Sequence, residues 1–406
     1  MQKHLLGVAL GTLVATNLFA ASVADPDRMP AFSWDHVPLY MHIRKDTAFT
    51  EDEIRYLATF PLITFEKATG HTDFGSVEAG TLHAARAVKA INPATKILYY
   101  RNVIVHYGGY AGNEMLKNTP GSFLVGRDGR DKLICNRLQA YDLTNKALRE
   151  WWIDAAEQVC SDPAIDGIFV DGVVKILEPT FLKDVIGEEK KAGMLAGYVT
   201  MMEDLRKRLG PHKLIVGNIL RARLPDSGLS YIKALGGSYI ELFEGAVGMS
   251  KKDYVSKGIR DFQRAARQGL IIAYTCNLGP NQQDADEAPR STAGSNNPVG
   301  NLHRQNRDAK SRFIHQLAIL LVCAEKYSYF DLNDGYDAKT SKMSMTRPAR
   351  YDRPLGPPRG PAVRNGYTYT REFEYASVFL DIEKEEASIT WKAPLQPSEV
   401  ESGIVK

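Results

Sequence analysis

Eight short apolar segments of strand length alternate with helix-length amphipathic stretches, and each strand-like segment closes on carboxylates, amides or bases; this rhythm predicts an α/β fold, a (β/α)8 barrel. A change to two-residue alternation near the C-terminus predicts a small antiparallel β appendage on that barrel.

Residues 1–24 begin with Lys3-His4, run through an apolar stretch from Leu5 to Ala20, and end on Ser22-Val23-Ala24 ahead of Asp25-Pro26. A basic start, an apolar core and a small-residue cleavage site predict a signal peptide, hence a secreted or periplasmic protein. The stretch is shorter than the ~20 apolar residues of a spanning helix, so no stable membrane span is expected after cleavage.

The barrel is expected over residues 25–335. Its strands are predicted at Pro38–Ile43, Leu62–Phe65, Lys96–Tyr100, Gly167–Val170, Leu214–Gly217, Ser238–Leu242, Leu270–Thr275 and Lys326–Phe330. Helical segments fall between them at 80–91, 145–160, 190–209, 251–268 and 308–323. The fourth strand is the most informative, because the β-branched run Gly167-Ile168-Phe169-Val170 delivers Asp171 into a glycine turn at Gly172. Ahead of 145–160, Asp142-Leu143-Thr144-Asn145 supplies capping side chains; Leu148, Trp151, Trp152, Ala155, Ala156 and Val159 recur at helical spacing, which makes the two tryptophans packing residues. The polar stretch Pro280–His303 reads as a long loop after strand seven, on the face where a barrel keeps its chemistry. Residues 336–365, rich in Pro, Gly and Arg, are expected to wrap the barrel, and 366–406 to form the β appendage, with strands at 367–375, 376–382 and 386–391.

Composition removes several classes of function. The 51 basic and 48 acidic side chains leave a net charge of +3, with Lys and Arg scattered, so no nucleic acid partner is expected. Cys135, Cys160, Cys276 and Cys323 are too few and too far apart for a disulfide scaffold or a CxxC metal site, although one pair could bridge after export. Neither HExxH, HxH, GxGxxG nor P-loop spacing occurs, so no metal and no cofactor is expected.

The strand ends point to a carbohydrate substrate. Glu66, Tyr100, Arg101, Asn102, Asn218, Glu244, Asn277 and Asp331 are the candidate substrate-binding residues, since carboxylates, amides and an Arg around one mouth suit a ligand covered in hydroxyls. Glycoside hydrolysis needs two flanking carboxyl groups, and Asp171 with a strand-six glutamate meets that need. Glu241 and Glu244 have opposite strand parity; Glu241 lies inside the apolar run, where an unpaired carboxylate is costly, and is the stronger candidate, with Glu244 kept as its alternative. The competing readings are a carbohydrate-binding barrel without catalysis and a metal-assisted glycan deacetylase.

Tyr141-Asp142-Leu143-Thr144-Asn145, Arg149-Glu150-Trp151-Trp152, Asp166-Gly167-Ile168-Phe169-Val170-Asp171-Gly172 and Tyr239-Ile240-Glu241-Leu242-Phe243 resemble barrel glycoside hydrolases, most closely hypothetical glycosyl hydrolase family fifteen. An acid after strand four and another after strand six is also the layout of the α-galactosidase-like clan. That resemblance implies Asp171 as nucleophile, Glu241 as acid/base, and retention of configuration. The chain departs from the clan in offering Glu on strand six where the clan has Asp, which keeps an inverting mechanism open.

Overall fold

The computed structural model describes residues 28–241, 248–277, 309–341 and 343–392. Eight parallel strands lie in chain order: β1 (Met41–Ile43), β2 (Leu62–Phe65), β3 (Lys96–Asn102), β4 (Gly167–Asp171), β5 (Leu214–Asn218), β6 (Gly237–Glu241), β7 (Ile271–Asn277) and β8 (Ser328–Asn333). Backbone bonds from Tyr40 N to Phe330 O and from Phe330 N to Pro38 O, both 2.8 Å, tie β8 to the segment ahead of β1. The ring so formed is the (β/α)8 barrel that the alternation predicts.

Among the described residues, seven crossover helices cover the barrel: α1 (Glu51–Leu57), α2 (Val77–Ile91), α3 (Lys146–Cys160), α4 (Glu188–Leu209), α5 (Leu229–Leu235), α6 (Lys251–Ala266) and α7 (Ala309–Cys323). Five match predicted helices; the short α1 and α5 escape a reading based on long periodic windows. The start of α1 is nevertheless written in the sequence as a capping box, with Glu53 N donating to Thr50 Oγ1 at 3.3 Å and Thr50 N to Glu53 Oε2 at 2.6 Å. At α3 the cap is Asn145, whose Oδ1 accepts from Ala147 N at 2.9 Å. Asp142 instead ion-pairs with Lys190 at 2.5 Å.

Several strands run further than predicted. β3, β4, β5 and β8 continue into Asn102, Asp171, Asn218 and Asn333, because the ladder persists after the apolar run has ended. Register aligns the inward side chains in layers. Tyr40, Leu98, Phe169, Val216, Tyr239, Ala273 and Tyr329 are buried in the barrel interior, with Met29 packed into the same cluster. A separate, larger apolar cluster fills the space between strands and helices.

Four antiparallel strands follow the barrel: β9 (Val363–Asn365), β10 (Thr368–Glu372), β11 (Ala376–Asp381) and β12 (Glu386–Trp391). β9 falls in the stretch expected only to wrap. Arg371 on β10 reaches the C-terminal end of α7, donating to Leu321 O at 3.0 Å and Ala324 O at 2.5 Å. The small sheet thereby caps a barrel helix.

None of the four cysteines, all of them among the described residues, is in a disulfide; Cys135 is exposed and the other three are buried. No helix among the described residues is long and apolar enough to cross a membrane. The expected signal peptide, the loop Pro280–His303, Glu244 and the side chain of Asn277 lie outside the described residues.

Candidate active site

Strand parity selects the residues that reach the mouth. On β3, Tyr100 and Asn102 face inward, whereas Arg101 points outward between the strand and α3, its guanidinium carbon 5.2, 5.0 and 5.5 Å from the ring centres of Tyr110, Trp151 and Trp152. Arg101 is thus a packing cation behind the barrel wall, and the expectation that it binds substrate is corrected. Tyr110 belongs to the same packing, and Trp34 packs edge-on against Phe32 and tilted against Phe373.

Asp171 closes β4 with three donors on it. Tyr100 Oη donates to Oδ2 at 2.5 Å, Asn102 Nδ2 to Oδ2 at 3.0 Å, and Asn218 Nδ2 to Oδ1 at 3.0 Å. Both amides are fixed by their other ends. Asn102 Oδ1 accepts from Ile104 N at 2.9 Å and Val105 N at 2.7 Å, and Asn218 Oδ1 accepts from Arg221 Nη2 at 2.7 Å, so each turns its NH2 toward the carboxylate. Burial pushes the Asp171 carboxyl up, but Lys175, the Tyr100 hydroxyl and Lys67 outweigh it and hold the group below the usual aspartate value. Gly172 permits this approach: its φ is +79°, and a Cβ there would stand 2.5 Å from Asn102 Oδ1.

Glu241 closes β6 with its side chain 27% exposed, enough to meet a ligand from the mouth. Tyr336 Oη donates to Oε1 at 3.0 Å, while Arg221 Nη2 and Asn218 Nδ2 each lie 3.4 Å from Oε2. The Asn218 amide therefore touches both acids. Their nearer oxygens are separated by no more than the sum of its two hydrogen bonds, 3.0 and 3.4 Å.

Two further candidates, Glu66 and Asp331, are placed just past the end of β2 and on β8. Glu66 is buried between Arg44 Nη1 at 3.2 Å and Lys67 Nζ at 2.5 Å, and the Lys67 ammonium also lies 5.7 and 5.3 Å from the rings of Tyr100 and Tyr107. Asp331 sits deeper on β8, accepting from Thr275 Oγ1 at 3.2 Å and Asn333 Nδ2 at 3.1 Å; burial raises its pKa to about 7 against those two bonds. His42 packs among Tyr239, Tyr336 and Phe169 within 5.2 Å between ring centres. Burial, against the pull of Asp171, lowers its pKa to about 3, so the imidazole is neutral at working pH.

Arg221 and Tyr336 join this site without any signal at a strand end. Arg221 returns from the loop three residues past Asn218, and Tyr336 arrives from the chain beyond β8. Among the described residues no group of His, Cys, Asp and Glu side chains has the placement to hold a metal ion.

A barrel whose mouth holds two adjacent carboxylates amid amides, hydroxyls and bases has the equipment of a glycoside hydrolase. The sequence profile of hypothetical glycosyl hydrolase family 15 matches residues 89–377, and the chain belongs to that family. No curated protein matches it. Among solved structures it is similar to the family 36 α-galactosidase AgaB of Geobacillus stearothermophilus, at 9% identity and a TM-score of 0.49 over 87% of this chain and 48% of that one. A variant of AgaA from the same organism, in complex with 1-deoxygalactonojirimycin, matches at 10% identity and 0.48 over 87% and 49%. The noncanonic maltogenic α-amylase AmyB of Thermotoga neapolitana matches at 10% and 0.48 over 88% and 86%. The chain spans about half the length of those α-galactosidases.

Proposed function

We propose that this glycoside hydrolase is exported and cleaves a poly- or oligosaccharide by double displacement, with Asp171 attacking the anomeric carbon and Glu241 serving as acid and then base. The observation that carries this reading is the single Asn218 amide hydrogen-bonded to both carboxylates. Retaining pairs stand about 5–5.5 Å apart and inverting pairs about 6.5–9.5 Å, the wider gap holding a water. One NH2 group bonded to both acids, at 3.0 and 3.4 Å, supports the closer arrangement.

The environments of the two acids support separate roles. Asp171, held by three donors and kept ionised, suits a nucleophile. In the first step its oxygen bonds to the anomeric carbon while Glu241 gives a proton to the departing glycosidic oxygen. In the second, Glu241 takes a proton from water, which displaces Asp171. Tyr100, Asn102 and Asn218 stand around this pair, with the Glu66–Lys67 pair beside Tyr100, as binding groups for sugar hydroxyls, and Asp331 on β8 is a further binding candidate. Export rests on the character of residues 1–24.

Reducing-end release from a broad glycan panel, run beside Asp171→Asn and Glu241→Gln, tests the assignment. Turnover is expected to disappear in the first variant and to collapse in the second, both remaining folded by circular dichroism; undiminished turnover in Asp171→Asn overturns it. Proton NMR of the first-formed product should show the substrate's own anomeric configuration. An inverted first product removes the covalent step.

A further inference from the structure

We propose that Tyr336, backed by Tyr239, is a positioning residue that keeps Glu241 hydrogen-bonded in both of its protonation states and directs its proton to Oε1. The inference rests on the reading of Glu241 as acid/base.

The two oxygens of Glu241 meet different chemistry. Near Oε2 stand the Arg221 guanidinium and the Asn218 amide NH2, each at 3.4 Å, and neither can accept a proton. A proton placed there would oppose two N–H groups. Oε1 meets the Tyr336 hydroxyl at 3.0 Å, a group that can donate or accept, and Tyr336 Oη is in turn 2.9 Å from Tyr239 Oη. Each hydroxyl has one proton. With Glu241 ionised, Tyr336 donates to Oε1 and Tyr239 donates to Tyr336. With Glu241 protonated on Oε1, Tyr336 is free to accept from it and to donate to Tyr239.

This reversal fits the proposed cycle. As Oε1 passes its proton to the glycosidic oxygen, the carbon–oxygen bond breaks with its electron pair on that oxygen, and the Tyr336 proton swings from Tyr239 onto the new carboxylate. Water later returns a proton to Oε1 and the chain swings back. Neither tyrosine gains or loses a proton. Both rings are packed against His42, Tyr336 at 4.9 Å and Tyr239 at 5.2 Å between ring centres. The Tyr336 backbone is pinned as well, its carbonyl accepting from Arg44 N at 2.8 Å.

Among the described residues, the charged and titratable groups around Glu241 include Arg221 from the loop after β5, Asp171 across Asn218, neutral His42 on β1, and the two tyrosines. Tyr336→Phe alters only the last of these and keeps the ring. The test is a pH titration of the full-length protein labelled with 13C at the glutamate carboxyls, with Glu241→Gln assigning the resonance. Loss of the donor should move the Glu241 midpoint up by roughly half a pH unit or more in Tyr336→Phe, and by less in Tyr239→Phe. Turnover of phenyl glycosides, which need a proton on the leaving oxygen, should fall roughly tenfold or more in Tyr336→Phe, while 2,4-dinitrophenyl glycosides, which do not, should fall far less.

An unmoved midpoint in Tyr336→Phe overturns the proposal, as does an equal loss on both leaving groups. Undiminished turnover of phenyl glycosides by Glu241→Gln is a different failure, that of the acid/base reading itself.

Discussion

At Asp171 the carboxylate owes its ionised state to neighbours that offset its burial, and the Tyr100 hydroxyl is the one that can be removed with least disturbance. Tyr100→Phe should cost about 1.5–3 kcal/mol of transition-state stabilisation, the worth of a hydrogen bond to a charged group. It should also raise the Asp171 pKa, so the acid limb of a kcat/KM profile should move to higher pH. Asp331 gives a stability prediction instead. Its folded pKa of about 7 lies above the unfolded value near 3.8, so the folded state holds this proton more tightly. The stability it confers is complete below about pH 4 and is lost as pH rises through 7. Asp331→Asn should therefore gain melting temperature relative to the parent across that window; parallel curves refute it. His42, with a pKa lowered to about 3, acts oppositely as pH falls below its unfolded value near 6.5, which is why the comparison must be between variant and parent.

The turn after β4 shows how an element aims a side chain. Gly172 occupies the left-handed region and stands where a methyl group would strike the Asn102 amide. Gly172→Ala should cost about 1–3 kcal/mol from backbone strain alone. It should also displace Asn102 from Asp171, and turnover should fall further than the stability loss explains. Urea unfolding beside kcat at a temperature where both proteins are folded separates the two effects. On β3 the same logic of alternation sends Tyr100 and Asn102 to the mouth and Arg101 to the helix layer, where Trp152 Nε1 also holds the Asn102 carbonyl at 2.9 Å. Taken as a cluster, this strand end offers all three residues as binding groups; its two-residue period separates Arg101 from the other two.

For the whole molecule, the small sheet and the barrel meet through Arg371. Its side chain, 1% exposed, holds the Leu321 and Ala324 carbonyls at the end of α7 and pairs with Glu325 at 3.3 Å. Arg371→Met should leave those carbonyls without a donor and cost roughly 2–3 kcal/mol. Because Trp34 and Trp391 report on the small sheet's side and Trp151 and Trp152 on the barrel, fluorescence and circular dichroism should still trace one urea transition at a lower midpoint.

Much of this architecture was legible in the residues themselves. Alternating apolar runs and helical periods were enough for the (β/α)8 barrel, because βα units can bury both faces of a parallel sheet only under helices. Asp171 stood out since a charge ending a buried run needs a reason, and Glu241 for the same cause. The partners of those acids were not legible. Arg221 and Tyr336 lie past strand ends, in segments whose paths no period describes, and they reach Glu241 only after loops from β5 and β8 fold over the mouth. Local patterning sets which way a side chain points along a strand; closure of the barrel alone decides which distant side chain it meets.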